Sequence, residues 1–378
     1  MTLGMLFGAL FRLQGADLSL SETDLIPKDL QLWDESMLWS DQISVFSGLG
    51  YKDNVLLSPF NPHGSAFVVN GLDAVIIRLP LDGWKVEGTI SGEDRQYWRD
   101  VGTSSEDLFI AGLRLQREWV EGWQAGLELR GLYENRVLDI SPQPRVPATV
   151  LVRGESFTVQ PSLRKDLVSG WWLQLEMPVS RYWLASPLDD YWEFGPVVTA
   201  GYDIGKRSEI TLNDGVTYQN HNAWVAYADP NGNLPLPQKL QIFQNQTELA
   251  WRQYWDAHLR WQTFTHLVFD SLEDNGGGYF NEYQYQVLQD LRWQTADWLI
   301  KGSVALSYED YPVQGVGKLN GQTLYRDLWD LSGEVERRLY KRLKVYAKLE
   351  YQRAISNEVL DAQDYHATTV SGGLRWEF

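Results

Sequence analysis

The chain has 378 residues, no cysteine and a formal net charge of −17. It contains no run of about 20 apolar residues, the length that a helix needs to cross a bilayer. The composition therefore excludes disulfide cross-links and helical membrane spans, and the negative charge disfavours binding to nucleic acids.

The first 42 residues differ from the rest of the chain, because they show no regular alternation of apolar and polar side chains. Residues 1–16 are largely apolar and end in Gly15 and Ala16, which is typical of a signal-peptide cleavage site, although the usual basic start is missing. We interpret them as a signal peptide whose first residues are lost; the alternative is a short buried segment. Residues 17–42 are polar and acidic and predict a lead-in to the main domain, 43–378, or a short helix inserted into it.

The main domain is predicted to be all-β, since its side chains alternate with a period of two. Trp84, Val86 and Ile90, for example, alternate with Lys85 and Glu87. Sixteen segments of this kind predict strands: 43–52, 66–79, 84–91, 106–118, 123–134, 156–164, 171–182, 192–202, 208–218, 240–251, 259–269, 282–293, 298–308, 328–339, 344–351 and 365–378. No helical period persists for three turns.

The predicted connections alternate in length along the chain. Seven short ones lie at 80–83, 119–122, 165–170, 203–207, 256–257, 295–297 and 340–342. Eight longer ones, rich in Gly, Pro, Asn and Asp, lie at 53–65, 92–105, 135–155, 185–191, 219–239, 271–281, 310–323 and 353–364. Short turns interleaved with long loops are typical of an antiparallel up-and-down β-barrel.

The chain ends in a strictly alternating segment, 371–378, with Leu374, Trp376 and Phe378 on one face and Arg375 and Glu377 on the other. This segment resembles the C-terminal strand of Gram-negative outer-membrane β-barrels. The resemblance implies a transmembrane antiparallel barrel of about sixteen strands in the bacterial outer membrane, broadly porin-like, with 17–42 and both chain ends in the periplasm. It also implies that the barrel-assembly machinery reads an assembly signal composed of Ser371, Gly373, Trp376 and Phe378.

Aromatic pairs such as Tyr97-Trp98, Trp171-Trp172 and Tyr191-Trp192 lie where predicted strands meet connections. We interpret them as interfacial girdles, because amphipathic rings favour the headgroup region of a bilayer. The alternative is a soluble, Trp-rich carbohydrate-binding β-protein. Asp214 and Gln289 fall on the predicted lipid face, which predicts a bulge or a shifted register at each.

The strand face opposite Leu374 and Trp376 is predicted to line the lumen of the barrel, and it carries charges of both signs. The pore-lining candidates are Arg114, Glu128, Arg130, Arg164, Glu176, Glu248, Arg252, Arg260, Asp290, Arg292, Lys301, Glu334, Lys348 and Arg375. Most of these charges are expected to pair with neighbours, and a minority to shape ion preference. The predicted function is a channel for the passive diffusion, or export, of small hydrophilic solutes. The loops 135–155 and 219–239 are candidates for a constriction or a lid.

Motifs for other chemistry are sparse. His63 and Ser65 match the spacing of outer-membrane acyl hydrolases, which makes such a hydrolase the enzymatic alternative, but a simple turn is favoured. The segments 229–233 and 273–278 resemble metal-binding loops and are also predicted to be turns. We expect no catalytic residue, metal or cofactor. Expected partners are outer-membrane lipid, the assembly machinery, and a periplasmic protein or further copies of the chain, but no nucleic acid.

Overall fold

The computed structural model describes residues 39–78, 83–99, 101–139, 149–186, 188–229, 232–316, 321–358 and 363–378. The predicted signal peptide, and the predicted lead-in up to residue 38, lie outside these ranges. Among the described residues, no helix is both long and apolar enough to cross a membrane.

The described chain is almost entirely strand. The strands are β1 (Trp39–Lys52), β2 (Ser65–Arg78), β3 (Trp84–Tyr97), β4 (Ser105–Val120), β5 (Trp123–Asp139), β6 (Thr149–Asp166), β7 (Trp171–Glu176), β8 (Val179–Leu184), β9 (Tyr191–Phe194), β10 (Val197–Ile204), β11 (Ser208–Tyr227), β12 (Pro235–Tyr254), β13 (Trp261–Asp274), β14 (Glu282–Gln294), β15 (Trp298–Gly315), β16 (Thr323–Tyr340), β17 (Leu343–Ser356) and β18 (Tyr365–Glu377). A short 3-10 turn, Val168–Gly170, joins β6 to β7. Each of the sixteen predicted strands is present, and β1 begins four residues before the predicted domain boundary at 43.

The strands form one closed antiparallel barrel. Apart from the segments β7–β10, each strand pairs with its neighbours along the chain, and β1 pairs with β18 over nine residues from Ser44 opposite Glu377 to Lys52 opposite Thr369. This last pairing leaves neither terminal strand with a free edge. The predicted fold class is therefore confirmed: an all-β, up-and-down barrel.

Two of the sixteen wall strands are interrupted, which is why eighteen segments form a sixteen-stranded wall. β7 and β8 are separated by Met177 and Pro178, and β9 and β10 by Gly195 and Pro196. Proline has no backbone N–H to donate to a neighbouring strand, so the ladder breaks at these positions. The pairs β7–β10 and β8–β9 continue the wall on either side of the breaks.

The outer surface of the barrel is apolar, as the alternation predicts. On β18, for example, the outward-facing Leu374 and Trp376 are 51% and 43% exposed, whereas Arg375 between them faces the lumen. Large exposed apolar side chains recur in this way on the outer face of most of the other strands. Such a surface suits contact with lipid hydrocarbon, and the closed hydrogen-bond ladder satisfies the backbone groups that lipid cannot.

Asp214 and Gln289 lie on the outer face, so the bulge or shifted register predicted there is wrong. The ladder runs through both positions in regular register. Each side chain is paired with a threonine that faces outward on the neighbouring strand. Thr247 Oγ1 donates to Asp214 Oδ1 at 2.9 Å, and Thr265 Oγ1 donates to Gln289 Oε1 at 2.6 Å.

The connections alternate between two ends of the barrel. One end carries turns of two to six residues together with the start of β1 and the end of β18, and the other carries loops of six to twelve residues. We refer to these as the short-turn end and the long-loop end. The long loops predicted at 135–155 and 219–239 are wrong, because β5, β6, β11 and β12 occupy most of both ranges and leave connections at only 140–148 and 228–234.

The reason for this error is physical. Near the long-loop end the strands no longer show a clean alternation of apolar and polar residues, although they remain paired: Arg136 is opposite Val152, and Gln219 is opposite Ile242. Register irregularities in β11 between Asn220 and Tyr227 accommodate the polar sequence there.

The seam where β1 pairs with β18 and closes the barrel supplies a test of the fold. A Cβ atom on Gly373 would collide with the carbonyl oxygen of Ser47 on the facing strand β1, whereas a Cβ atom on Gly333 would meet nothing within 4 Å. We expect Gly373→Ala to lower the free energy of unfolding by about 1–3 kcal/mol, because an added methyl group there overpacks the seam. Gly333→Ala is the matched control. Urea unfolding in detergent micelles measures both variants, and equal stability would contradict a tightly packed seam.

Candidate functional site

A cavity of about 680 Å³ lies inside the barrel. Its lining comes from β1–β5, from β13–β18 and from Leu57 in the loop between β1 and β2. None of the described residues from β6 to β12 lines it. The open space is therefore eccentric, along one side of the lumen.

Arg375 organises the wall of this cavity near the short-turn end. Its guanidinium group reaches Asp73 on β2 at 2.6 Å, and Glu336 and Glu334 on β16 at 2.8 and 3.8 Å. The same group lies over the ring of Phe46, 4.7 Å from its centroid. Arg375 thus joins strands on both sides of the closing seam, through contacts made inside the lumen.

A second network lies farther toward the long-loop end, around Glu106 on β4. Lys52 Nζ lies 3.1 Å from Glu106 Oε1, and the two side chains are only 7% and 4% exposed. The hydroxyl of Tyr97 donates to Glu106 Oε2 at 2.7 Å, and the backbone N–H of Val137 donates to Oε1 at 3.4 Å. A buried carboxylate held by a cation and two further donors is well satisfied electrostatically.

Arg95 connects strands that are far apart in the strand order. It pairs with Glu93 on its own strand and, at 3.0 Å, with Glu350 on β17. Lys348 approaches the same Glu350 at 2.6 Å. Because β3 and β17 are separated by three intervening strands, this chain of charges bridges part of the lumen rather than following a single pair of strands.

Several further charges of the cavity also occur in pairs. Glu128 accepts hydrogen bonds from Arg114, at 2.8 Å, and from Arg130. Lys301 lies 3.9 Å from Glu334. Opposite charges alternate around the wall, which keeps the field within the cavity short in range.

The structure places nine of the fourteen predicted pore-lining residues around the cavity. They are Arg114, Glu128, Arg130, Asp290, Arg292, Lys301, Glu334, Lys348 and Arg375. The other five, Arg164, Glu176, Glu248, Arg252 and Arg260, do not line it. Strand parity selects the lumen face, but it does not indicate which part of the lumen is open.

The five remaining candidates have local partners. Arg164 pairs with Asp166 at 2.8 Å, Glu176 accepts from Gln174 at 2.6 Å, and Arg252 pairs with Glu209. Glu248 is buried against His266 Nδ1 at 2.5 Å. Arg260 lies in the exposed turn before β13, outside the strand predicted for it, where its hydrogen bond holds the pKa of Asp256 below the usual range.

A packed aromatic row lies near the long-loop end among residues that do not line the cavity, and the sequence did not predict it. The ring centroids of Tyr182 and Tyr191 are 4.4 Å apart, those of Tyr191 and His221 5.0 Å, and those of His221 and Trp224 5.3 Å. Phe280, from the loop before β14, continues the row at 6.3 Å from Trp224. The row joins two apolar clusters that contact Trp224 from both sides.

Asp189, in the connection between β8 and β9, anchors this packed side. Its Oδ2 accepts hydrogen bonds from the backbone N–H groups of Ala223 and Trp224, both at 2.8 Å, and lies 3.6 Å from His221 Nδ1. These contacts fix the irregular segment of β11 against the β8–β9 hairpin. The packed side therefore has a defined arrangement and does not consist of loosely filled space.

The loop 53–64, between β1 and β2, turns into the lumen at the long-loop end. Val55 is fully buried against Phe67, Val69 and Tyr97, and Leu57 packs between Val137 on β5 and Ala367 on β18. The backbone N–H of Asp53 donates to Thr368 O at 3.1 Å. Leu57 of this loop lines the cavity, whereas the sequence predicted a constriction or a lid from 135–155 and 219–239.

The sequence contained a signal for this loop. Val55, Leu56 and Leu57 form an apolar run within an otherwise polar connection. Three consecutive apolar residues in a loop on the outer surface would remain in water, so their presence favours a loop that folds back onto the protein.

The hydrolase alternative finds no support in the geometry of Ser65. Its side chain is buried, its Oγ donates to the carbonyl of Ala66 at 3.0 Å, and it accepts from the backbone N–H of Arg99 at 3.2 Å. His63 is exposed in the preceding loop. The hydroxyl is occupied by backbone contacts and does not face a groove open to lipid.

The two segments that resemble metal loops use their carboxylates to hold turns. Asp229 accepts from the backbone N–H groups of Asn233 and Leu234, and Asp274 accepts from those of Gly276, Gly278 and Phe280. Over the ranges that the structure covers, no group of three or more acidic or histidine residues is arranged to hold a metal ion.

The four residues of the predicted assembly signal lie on the closing strand β18. Trp376 and Phe378 are exposed on the outer face, and the backbone N–H of Phe378 donates to Ile43 O at 2.9 Å. Gly373 faces Gly48 at the seam, and Ser371 faces Gly50. Recognition by the assembly machinery remains a prediction.

No protein-family model matches the chain, and no curated protein sequence matches it. Among solved structures, a bacterial polysaccharide outer membrane secretin is similar at 9% identity and a TM-score of 0.43, over 89% of this chain and 98% of that one. An anion-selective porin from Comamonas acidovorans is similar at 11% identity and a TM-score of 0.41, over 90% of this chain and 99% of that one. OccAB3 from Acinetobacter baumannii is similar at 8% identity and a TM-score of 0.45, over 90% of this chain and 99% of that one. By its own architecture, the described part of the chain is a closed sixteen-stranded antiparallel barrel.

The buried pair of Lys52 and Glu106 supplies a stability test. We expect Lys52→Met to lower the free energy of unfolding by about 3–5 kcal/mol, because it leaves the Glu106 carboxylate buried without its cation. The double variant Lys52→Met/Glu106→Gln should lose less, since neither charge then remains. Urea unfolding of the refolded protein compares the two, and a double variant less stable than the single one would contradict the pairing.

The eccentric position of the cavity can be tested with cysteine, which the natural chain lacks. Ser332 lines the cavity, whereas Ser180 lies on the packed side, is buried and shares a 2.8 Å hydrogen bond with Thr158. We expect a charged, water-soluble thiol reagent to modify Ser332→Cys in the folded protein and to leave Ser180→Cys unmodified. Mass spectrometry measures the modified fraction, and equal modification of both would disprove an eccentric opening.

Proposed function

We propose that this chain is a porin-like channel of the bacterial outer membrane, through which small hydrophilic solutes diffuse passively. One observation carries the proposal: a polar, charge-lined cavity lies inside a closed barrel whose outer surface is apolar. A barrel with this number of strands is wide enough to leave an aqueous channel. The proposal assigns no catalytic step to the chain.

The lining supports selection by size more than by charge. Arg114, Lys301, Lys348 and Arg375 each lie within ion-pair distance of a carboxylate, so a passing ion meets pairs and not an isolated charge. Selectivity in channels arises from rings of like charge or from narrow constrictions. We therefore propose that the width left beside the loop 53–64 limits which solutes pass.

The single-channel current in planar bilayers tests this function. We expect the refolded protein to conduct in small steps, and a variant in which 55–61 is replaced by a short Gly-Ser linker to conduct in larger steps, because the side chain of Leu57, which lines the cavity, is removed. The matched control shortens the turn at 228–234, whose described residues do not line the cavity, and should leave the current unchanged.

Two results would count against the proposal. The absence of steps from both the natural protein and the linker variant, with both shown to be folded, would indicate a filled barrel. An increase in current from the control deletion alone would place the constriction elsewhere.

A further inference from the structure

Three tryptophans on the outer face of the barrel each lie directly opposite a cation on the next strand. The opposed pairs are Trp84 with Arg117, Trp123 with Lys165, and Trp298 with Arg337. The cationic group lies over the indole ring in each, at 5.0, 5.1 and 5.1 Å from the centroid. Each tryptophan opens a strand at the short-turn end, so the same arrangement recurs at one level of the barrel.

These pairs face away from the protein. The tryptophans are 36–40% exposed, and Arg117 and Arg337 are exposed as well. Within the described part of the chain, no carboxylate lies within ion-pair distance of Arg117, Lys165 or Arg337; the ammonium group of Lys165 donates only to the Glu121 carbonyl, at 3.2 Å. A chain with a net charge of −17 therefore leaves three cations on its outer face without an acidic partner.

The outer face at the long-loop end has the opposite character. Asp94 lies directly opposite Asp107 there. Asp327 lies opposite Tyr308 on β15, and Asp310 follows two residues later on the same strand. Arg153 is exposed on the outer face near this end, but it is not opposite a tryptophan. Arg181 lies opposite Trp192 near the same end, 5.3 Å from the centroid of its ring, but Arg181 also pairs with Asp190 at 3.3 Å. The three pairs at the short-turn level therefore differ in that their cations have no carboxylate partner among the described residues.

We infer that the three tryptophan–cation pairs bind the phosphate groups of anionic phospholipids in the leaflet at the short-turn end. Guanidinium and ammonium groups donate charge-assisted hydrogen bonds to phosphate oxygens. The indole ring places the cation at headgroup depth, because tryptophan favours the interface between hydrocarbon and water. Attraction of a basic side chain to an anionic lipid surface contributes about 1 kcal/mol, or about fivefold in local lipid preference. This inference does not depend on whether the barrel conducts.

The test compares lipids at the surface of the protein. The protein is reconstituted in phosphatidylcholine vesicles that contain spin-labelled phosphatidylglycerol or spin-labelled phosphatidylcholine, and electron paramagnetic resonance gives the fraction of each label that the protein immobilises. We expect a preference of about fivefold for phosphatidylglycerol at these sites. The triple variant Arg117→Gln/Lys165→Gln/Arg337→Gln should bring the ratio close to one.

Two further variants separate a built site from general charge attraction. Arg153→Gln removes an outward cation without a tryptophan partner and should keep the preference. Trp84→Leu/Trp123→Leu/Trp298→Leu keeps all three cations and should reduce it. Migration as a compact species on unheated detergent gels shows that each variant is folded. The inference is overturned if the triple glutamine variant keeps the preference, or if the triple leucine variant keeps it in full.

Discussion

The hydrogen-bonded ladder between β1 and β18 is the interaction on which the rest of the structure depends. Lipid hydrocarbon offers no hydrogen bonds, so a sheet with two free edges cannot remain there, whereas a closed ring satisfies every strand from its neighbours. Closure also gives each strand an inside and an outside. Glycines at the seam, Gly48 and Gly373 among them, allow the closing strands to approach closely, and the Arg375 network joins the strands on either side of that seam from within.

The lumen is divided into a side that lines the cavity and a side that does not. From β6 to β12 the inward residues include the rings of Tyr182, Tyr191 and His221, which pack on one another, and locally paired charges such as Arg252 with Glu209. The arcs β1–β5 and β13–β18 line the cavity with charged residues, many of them in ion pairs. Burying a charge without a partner is costly, so charges on both sides are held by neighbouring groups of opposite charge. One barrel thereby contains a packed core and an opening side by side.

The outer surface is divided in a different direction, from one end of the barrel to the other. Cations that lie over tryptophan rings without a carboxylate partner, such as Arg117 and Arg337, occupy the short-turn end, whereas carboxylates such as Asp94 and Asp107 lie opposite each other at the long-loop end. Aromatic rings suit both interfaces of a bilayer, so they do not distinguish the two ends. The charges do, and an asymmetric surface of this kind favours different headgroups at its two edges.

The sequence by itself determined the number of wall strands, the up-and-down order and, where the alternation is regular, the face that each residue takes. A period of two is a local property: Leu374, Arg375 and Trp376 alternate whatever the rest of the chain does. It also identified nine of the residues that surround the cavity. The sequence did not determine which lumen-facing residues meet. The contact of Arg95 with Glu350, the stacking of Trp224 on Phe280, and the packing of Leu57 with Val137 and Ala367 each join segments that are distant along the chain or in the strand order. Only the closed tertiary structure decided these, because the curvature of the wall sets which side chains face each other across the lumen.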